Sequence, residues 1–282
     1  MSGMEKQKYS VLMAVYIKGN PDYLITAVES MLNQTVLPEE YIIVVDGTVT
    51  EELRAVISKY EENGELFTVI WLKTNGGLGN ALNIGLQASR NELVARMDAD
   101  DISLLQRCEK ELKMFEEYPE LVICGCNINE FYKTPDNVKT SRVVPQTYEE
   151  IKKFMRRRQP FNHPTVMYRK SKVLECGGYK TLKRKEDFDL FSRMLSEGCL
   201  AANVGESLYL YRTDEDNYAR RKSWQNFKSA IYVYGMHLKR KGCSLIDYLI
   251  VCSAELLFMM LPRRLMKILS DNVLRKSIIS QR

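Results

Sequence analysis

Residues 94–102 read Val-Ala-Arg-Met-Asp-Ala-Asp-Asp-Ile, so an apolar run ends on three carboxylates, Asp98, Asp100 and Asp101. Like charges this close repel, and burying them is costly without a compensating partner. In extended backbone, alternate side chains point the same way. Asp98 and Asp100 then share one face, while Asp101 turns elsewhere or caps the next helix. Two hard oxygen ligands with open positions suit magnesium or manganese, which take their remaining ligands from water and substrate phosphates. A plain N-cap cluster before a helix accounts for the same residues.

Three further stretches carry possible chemistry. Asp46 ends the apolar run Ile-Ile-Val-Val-Asp; its carboxylate suits a nucleobase imide or a ribose hydroxyl, or it closes an Asx-turn in Asp-Gly-Thr. Asn75-Gly76-Gly77-Leu78-Gly79 lets backbone approach a ligand closely or forms an ordinary loop. It is neither GxGxxG nor a P-loop, which disfavours a dinucleotide fold and a P-loop NTPase. Glu186-Asp187 follows Lys183-Arg184-Lys185 and opens a helical pattern of Phe188, Leu190, Phe191, Met194 and Leu195. A carboxylate there serves as a general base or simply complements the helix dipole.

Positioning these residues requires an ordered frame. Apolar runs of strand length at 9–16, 41–47, 66–72, 92–98 and 121–128 alternate with helical patterns opening at Asn20-Pro21 and spanning 51–60, 81–89 and 104–118. Strands apolar on both faces, alternating with helices, predict an α/β fold with a mostly parallel central sheet. Such sheets bind ligands at the carboxyl ends of their strands. Asp46, the glycine-rich turn and the Asp98–Asp101 cluster should therefore share one crevice. After Ile128 the order weakens: a loop over 133–147, helical pieces at 148–157 and 186–197, a helix at 221–241, and a helical segment over 244–282.

Composition narrows the classes. The 282 residues include seven scattered Cys without CxxC pairs and two His, His163 and His237, which points to reduced thiols and no structural zinc. The amino-terminal MSGMEKQKYS has no apolar signal core, a cytosolic reading. The net charge is +5, and residues 263–282 alone hold six basic residues against Asp271. The remainder is neutral, which disfavours a nucleic-acid binder. The apolar run 249–261 is broken by Glu255 and is too short to span a bilayer. Beyond Pro262, Leu265, Leu269, Val273 and Leu274 can share a face opposite Lys and Arg. That layout fits a helix lying in an anionic membrane surface, or a core or dimer contact.

Taken together and in order, AVYIKGNPDYLITAVESMLNQT, IIVVDG, NGGLGNALNIGL, ARMDADDIS, FNHPTVMYRK, GGY, EDFDLFSRM and LYLYR resemble family 2 glycosyltransferases of the type that builds bacterial capsules and exopolysaccharides. The resemblance spans roughly residues 9 to 213. It implies a GT-A nucleotide-sugar-binding fold over 1–220, with a nucleotide-binding half at 1–128, an acceptor half at 129–220, and a C-terminal helical segment at 221–282. It implies inverting transfer from a UDP-sugar to a polyprenyl-diphosphate-linked saccharide, by a peripheral protein at the inner face of the cytoplasmic membrane. Carried over, Ala14, Tyr16, Asp46, Asn75, Gly76, Gly79 and Asn83 line the nucleoside pocket. Arg96, Asp98, Ala99, His163 and Glu186 surround the donor sugar and diphosphate. Asp98 and Asp100 hold Mn2+ or Mg2+, and Asp187 is the catalytic base. Arg212 and the Arg220-Arg221 pair close over the diphosphate, and the basic runs Lys152-Lys153 and Arg156-Arg157-Arg158 contact the lipid diphosphate or form a solvated face.

Departures matter as well. No QxxRW segment or transmembrane bundle is present, which points away from a processive synthase. A sugar nucleotidyltransferase should open with a GxGxR-type loop, which AVYIKGNPDYL lacks. A catalytically silent scaffold sits poorly with intact Asp98, Asp100 and Asp187.

Overall fold

The computed structural model describes residues 7–213 and 223–260, together with the backbone strand Lys276–Ser277. The first half alternates as expected: β1 (Tyr9–Val15), α1 (Pro21–Leu32), β2 (Glu40–Val45), α2 (Glu51–Glu61), β3 (Phe67–Trp71), α3 (Leu78–Ala88) and β4 (Leu93–Asp98). Then follow β5 (Ile102–Ser103), α4 (Arg107–Glu117), β6 (Leu121–Tyr132), β7 (Val138–Arg142), α5 (Tyr148–Met155), a single 3-10 turn (His163–Thr165), β8 (Met167–Arg169) and α6 (Lys170–Glu175). The chain continues through α7 (Glu186–Ser196), β9 (Leu200–Thr213), α8 (Trp224–Lys239), α9 (Leu245–Met260) and β10 (Lys276–Ser277).

The sheet order is β10-β7-β6-β8-β4-β1-β2-β3, with β9 paired to β6 and β5 to β9. Strands β3, β2, β1 and β4 pair in parallel. Short β8 is wedged antiparallel between β4 and β6, so β6 keeps the common direction and pairs in parallel with β9. Strands β3, β2, β1, β4, β6 and β9 thus run in one direction, with β8 reversed among them and β7 and β5 antiparallel at the margins.

Strand alternation explains the layers. In β2, Tyr41, Ile43 and Val45 face a core shared with α1, α2 and α4, whereas Ile42 and Val44 face one shared with α3, α5 and α7. That second core also takes Val233 and Tyr234 of α8 and Val251 of α9. Helix ends are locally coded: Asn20 caps α1 by accepting from the Asp22 and Tyr23 amides, with Pro21 at the first helical position.

Several elements differ from the sequence expectation. The loop over 133–147 contains β7, whose alternation is too polar to read as a strand, and β6 runs on to Tyr132 to pair with it. Residues 276–277 form a strand beside β7 rather than helix. The face formed by Leu265, Leu269, Val273 and Leu274 lies outside the described residues. No helix among the described residues is long and apolar enough to cross a membrane.

Helix α3 sits flush on the sheet at Gly85, where a Cβ would collide with Leu12 Cδ1 and come within 3.0 Å of Val44 Cγ2. This close seat sets the height of the glycine-rich turn at the start of α3. Gly85→Val should lower unfolding free energy by about 1–3 kcal/mol, the usual cost of overpacking. Gly64→Ala, at a glycine with ordinary space around it, should change it by less than about 0.5 kcal/mol. Urea denaturation of both variants checks the contrast.

Candidate active site

Three neighbouring strand ends build the first half of the site. Ala14 of β1 lies in register with Asp98 of β4, and the Asp46 amide donates to Val15 O at 2.7 Å. Two strand spacings, about 10 Å, separate the β2 and β4 ends, a span suited to a nucleoside and its phosphates. Asp46 is buried, and its carboxylate accepts from the Gly76 amide at 2.7 Å and the Gly77 amide at 2.9 Å. Asn75 returns a bond from Nδ2 to Asp46 O at 3.0 Å. Asp46 is therefore more than a local turn former: it fastens the glycine-rich turn, some 30 residues away, to the end of β2. Tyr16 stands exposed beside it.

At the end of β4, ligand oxygens of Asp98, Asp100 and Asp101 all lie within 4.8 Å of one another. The helix N-cap alternative fails here. The segment continues into β5, and α4 starts only at Arg107 with Gln106 as a cap that makes no side-chain bond. Arg96, buried one pleat earlier, binds Asp98 Oδ1 through Nη2 at 2.6 Å, whereas its Nε and Nη1 make no hydrogen bond. Burial alone pulls the Arg96 pKa down, and Asp98 more than reverses this. Desolvation and then the Asp98 charge push Asp100 up to about 6, and burial with the two neighbouring charges raises Asp101 well above the carboxylate range. An all-oxygen donor set whose negative charge Arg96 offsets only in part fits a hard divalent cation. Ala99, between Asp98 and Asp100, packs against the core.

Arg212 is placed differently from a ligand clamp. Its amide donates to Asp101 Oδ1 at 2.7 Å, and its guanidinium donates to Asp100 O at 2.7 Å and Lys133 O at 3.2 Å. The guanidinium also stacks on Tyr23, 3.7 Å from the ring centroid. These bonds buttress the carboxylate turn. Arg220 and Arg221 lie outside the described residues.

The second half comes from α7 and its neighbours. Asp98, Arg96, His163, Arg184, Glu186 and Asp187 line one cleft of about 400 Å³. Asp187 accepts from Gln159 Nε2 at 2.9 Å and from the Phe188 amide at 2.8 Å. Desolvation and then the adjacent Asp187 charge push Glu186 up to about 7. His163 Nε2 lies 2.9 Å from Tyr179 Oη, and burial followed by the Arg96 charge depresses its pKa well below the usual value. The imidazole is neutral at physiological pH.

Other sequence expectations need correction. Asn83 spends both ends of its amide on the Tyr179 backbone, at 2.8 Å each, so it braces the Gly-Gly-Tyr turn against α3 instead of facing a ligand. Gly79 provides the room for that packing: a Cβ there would lie 3.0 Å from Lys180 O. Arg156 and Arg157 both grip the buried Asp247 of α9 at 2.6 and 2.5 Å and are not set aside for a phosphate. Gln159 and Arg142, which also line the cleft, were not foreseen, because neither stands in a patterned segment.

A pH dependence follows. The Glu186 carboxyl has a folded pKa raised to about 7, above its unfolded value near about 4.3. Its contribution to stability is complete below the unfolded value and is lost as pH rises through about 7. Glu186→Gln should therefore gain stability relative to the parent at pH 8 compared with pH 5. Denaturant titrations at the two pH values check this; an unchanged difference would contradict the desolvation of the Glu186 carboxyl.

Comparison with known proteins agrees with this geometry. Residues 10–182 match the family model of glycosyl transferase family 2. The amylovoran biosynthesis glycosyltransferase AmsE of Erwinia amylovora is 33% identical over 263 residues, covering 93% of this chain and 98% of its own. The UDP-Gal:alpha-D-GlcNAc-diphosphoundecaprenol beta-1,3-galactosyltransferase of Escherichia coli is 33% identical over 271 residues, covering 95% and 97%. The mannosyltransferase PcManGT from Pyrobaculum calidifontis, solved with GDP-Man and Mn2+, superposes with a TM-score of 0.64 at 14% identity, over 91% of this chain and 71% of its own. A parallel strand-end crevice carrying clustered carboxylates, and a family match over more than half its length, show that this chain belongs to glycosyl transferase family 2 and has the GT-A fold.

Proposed function

We propose that the protein is a metal-dependent, inverting hexosyltransferase. It moves a sugar from a UDP-sugar to a hydroxyl of a polyprenyl-diphosphate-linked saccharide during cell-surface polysaccharide synthesis. The carrying observation is the single cleft lined by Asp98 of the carboxylate cluster, by Arg96 and by the Glu186-Asp187 pair. The lipid-linked acceptor and the UDP donor draw support from the Escherichia coli relative, whose name specifies both. Residues 1–220 carry the chemistry in this reading, and residues 221–282 serve peripheral attachment to the inner face of the cytoplasmic membrane.

Each residue then has a task. The strand ends at Ala14, Tyr16 and Asp46, with Asn75 and Gly76, receive the nucleoside. Asp98 and Asp100 would hold Mg2+ or Mn2+, which when bound neutralises charge on the departing nucleoside diphosphate. The unbonded Nε and Nη1 of Arg96 are donors for the diphosphate or sugar oxygens. Asp187, oriented by Gln159, takes the proton of the acceptor hydroxyl. That oxygen forms its bond to the anomeric carbon as the bond to the diphosphate oxygen breaks on the opposite face. One displacement inverts the centre, and neutral His163 beside the reacting groups contributes a hydrogen bond without adding charge.

The test is transfer from a panel of UDP-sugars, beginning with UDP-galactose, to an α-GlcNAc-diphospho-polyprenol with and without manganese, with product configuration read by NMR. Asp187→Asn should lower kcat by about 10²–10⁴-fold while manganese-dependent UDP binding persists. Asp98→Asn and Asp100→Asn should lose that binding. A retained configuration, or full turnover in Asp187→Asn, would overturn the mechanism.

A further inference from the structure

Helix α7 begins at the catalytic carboxylates and ends, about 16 Å away by helical rise, at a second cavity of about 450 Å³. Lys152 and Lys153 of α5, with Arg240 and Lys241 at the α8–α9 turn, line it, against the single carboxylate of Glu149. Lys152 reaches Glu149 only at 3.9 Å, and Arg240 reaches Asp189 at 3.4 Å. Lys153 and Lys241 have no ion-pair partner among the described residues. The buried His237, 3% exposed, also lines the cavity, and neither of its ring nitrogens makes a well-formed hydrogen bond. Gly242 closes over that ring so tightly that a Cβ would collide with His237 Cε1. The cavity is built into the fold, and its surplus charge is positive.

Helix α9 leaves from the rim of this cavity. Its inward face is pinned at two points: Asp247 holds Arg156 and Arg157, and Glu255 holds Lys185 Nζ at 2.7 Å, beside the transferase cleft. Its outward face is an apolar stripe of Ile246, Leu249, Ile250, Leu256, Leu257 and Met260, with Ile246 68% and Met260 72% exposed. These positions recur at helical spacing, so they form one surface running from the basic cavity toward the mouth of the active site. An apolar surface of this extent, without a partner among the described residues, marks an interaction site. Abutting a cationic cavity, it matches an amphiphile whose phosphate enters the cavity while its acyl chains meet the stripe.

We infer that the cavity between α5, the end of α7 and the α8–α9 turn is a headgroup site for an anionic phospholipid, seating α9 along an anionic bilayer with the transferase cleft facing the same surface. The inference deepens the peripheral attachment proposed above by naming the residues that make it. Donor binding is measured separately, so the two readings fail separately.

The experiment is co-sedimentation of the full chain with vesicles of phosphatidylglycerol and phosphatidylcholine, or of phosphatidylcholine alone. Binding should appear only with phosphatidylglycerol. Lys153→Glu with Lys241→Glu should weaken it at least tenfold, as should Leu249→Ser with Leu257→Ser. Charge reversal at two other exposed sites, Lys59→Glu with Lys113→Glu, should leave it within twofold. Manganese-dependent UDP binding should persist in every variant, showing that each is folded. Equal weakening by the Lys59 and Lys113 reversals would overturn the cavity in favour of general electrostatics. Binding of inorganic phosphate or glycerol phosphate to the cavity without any vesicle binding would overturn the lipid assignment. A dimer by light scattering, dissolved by the Leu249 and Leu257 changes in a protein that ignores vesicles, would assign the stripe to a second copy instead.

Discussion

The cleft depends on one buried cation, Arg107. Fully enclosed behind β4, it donates to Arg96 O and to Pro164 O, each at 3.2 Å, and lies over the Tyr209 ring. It thereby ties the strand that carries Arg96 and Asp98 to the turn that carries His163. Its charge partner, the equally buried Glu111, stands 3.8 Å away, and burial pushes that carboxyl up to about 8. Burying such a pair rarely adds net stability, but removing one member strands the other. The arrangement makes sense as positioning: it sets the two sides of the cleft at one distance.

The same economy recurs around the site. Asp46 fastens the glycine-rich turn, Asn83 fastens the Tyr179 turn, and Arg212 fastens the Asp100–Asp101 turn. Each pairs a side chain with backbone of a segment distant in sequence. Loops that must meet a ligand cannot lean on sheet hydrogen bonds, so these polar clasps replace them. Residues that look like ligand contacts in the sequence are in part the clasps that hold the contacts in place.

The parallel half of the fold was legible because its strands are apolar on both faces and its helices carry clear apolar spacing. The carboxylate cluster stood out because charge at an apolar boundary demands a reason, whereas the Glu186-Asp187 pair, which helix capping explains locally, stood out only through the family resemblance. Other features were hidden for physical reasons. β7 is too polar to read as a strand, and β9, a long strand whose register against β6 shifts, alternates imperfectly along its length. Arg107 and Glu111 look like an ordinary exposed i,i+4 pair, and only their place among Cys108, Leu112 and Phe115 on one helix face hints at burial. The hydrogen-bond partners of Arg156, Arg157, Asn83 and Arg212 lie between about 79 and 112 residues away along the chain, beyond the reach of any local pattern.

Lys185 gives the C-terminal helices a reach beyond their own surface. It holds a left-handed φ of 63° immediately before Glu186 and Asp187, while its ammonium is anchored on Glu255. Such a conformation in a residue with a side chain costs about 1–3 kcal/mol and persists only when its surroundings impose it. The family match ends at residue 182, before this kink. The angle at which Glu186 and Asp187 enter the cleft is held in part by a helix some 70 residues downstream, beyond the family model though within the span that relatives share. In such an architecture the Glu186-Asp187 side of the cleft can be retuned from the far end of the chain, while the strand ends at Asp46 and Asp98 stay as they are.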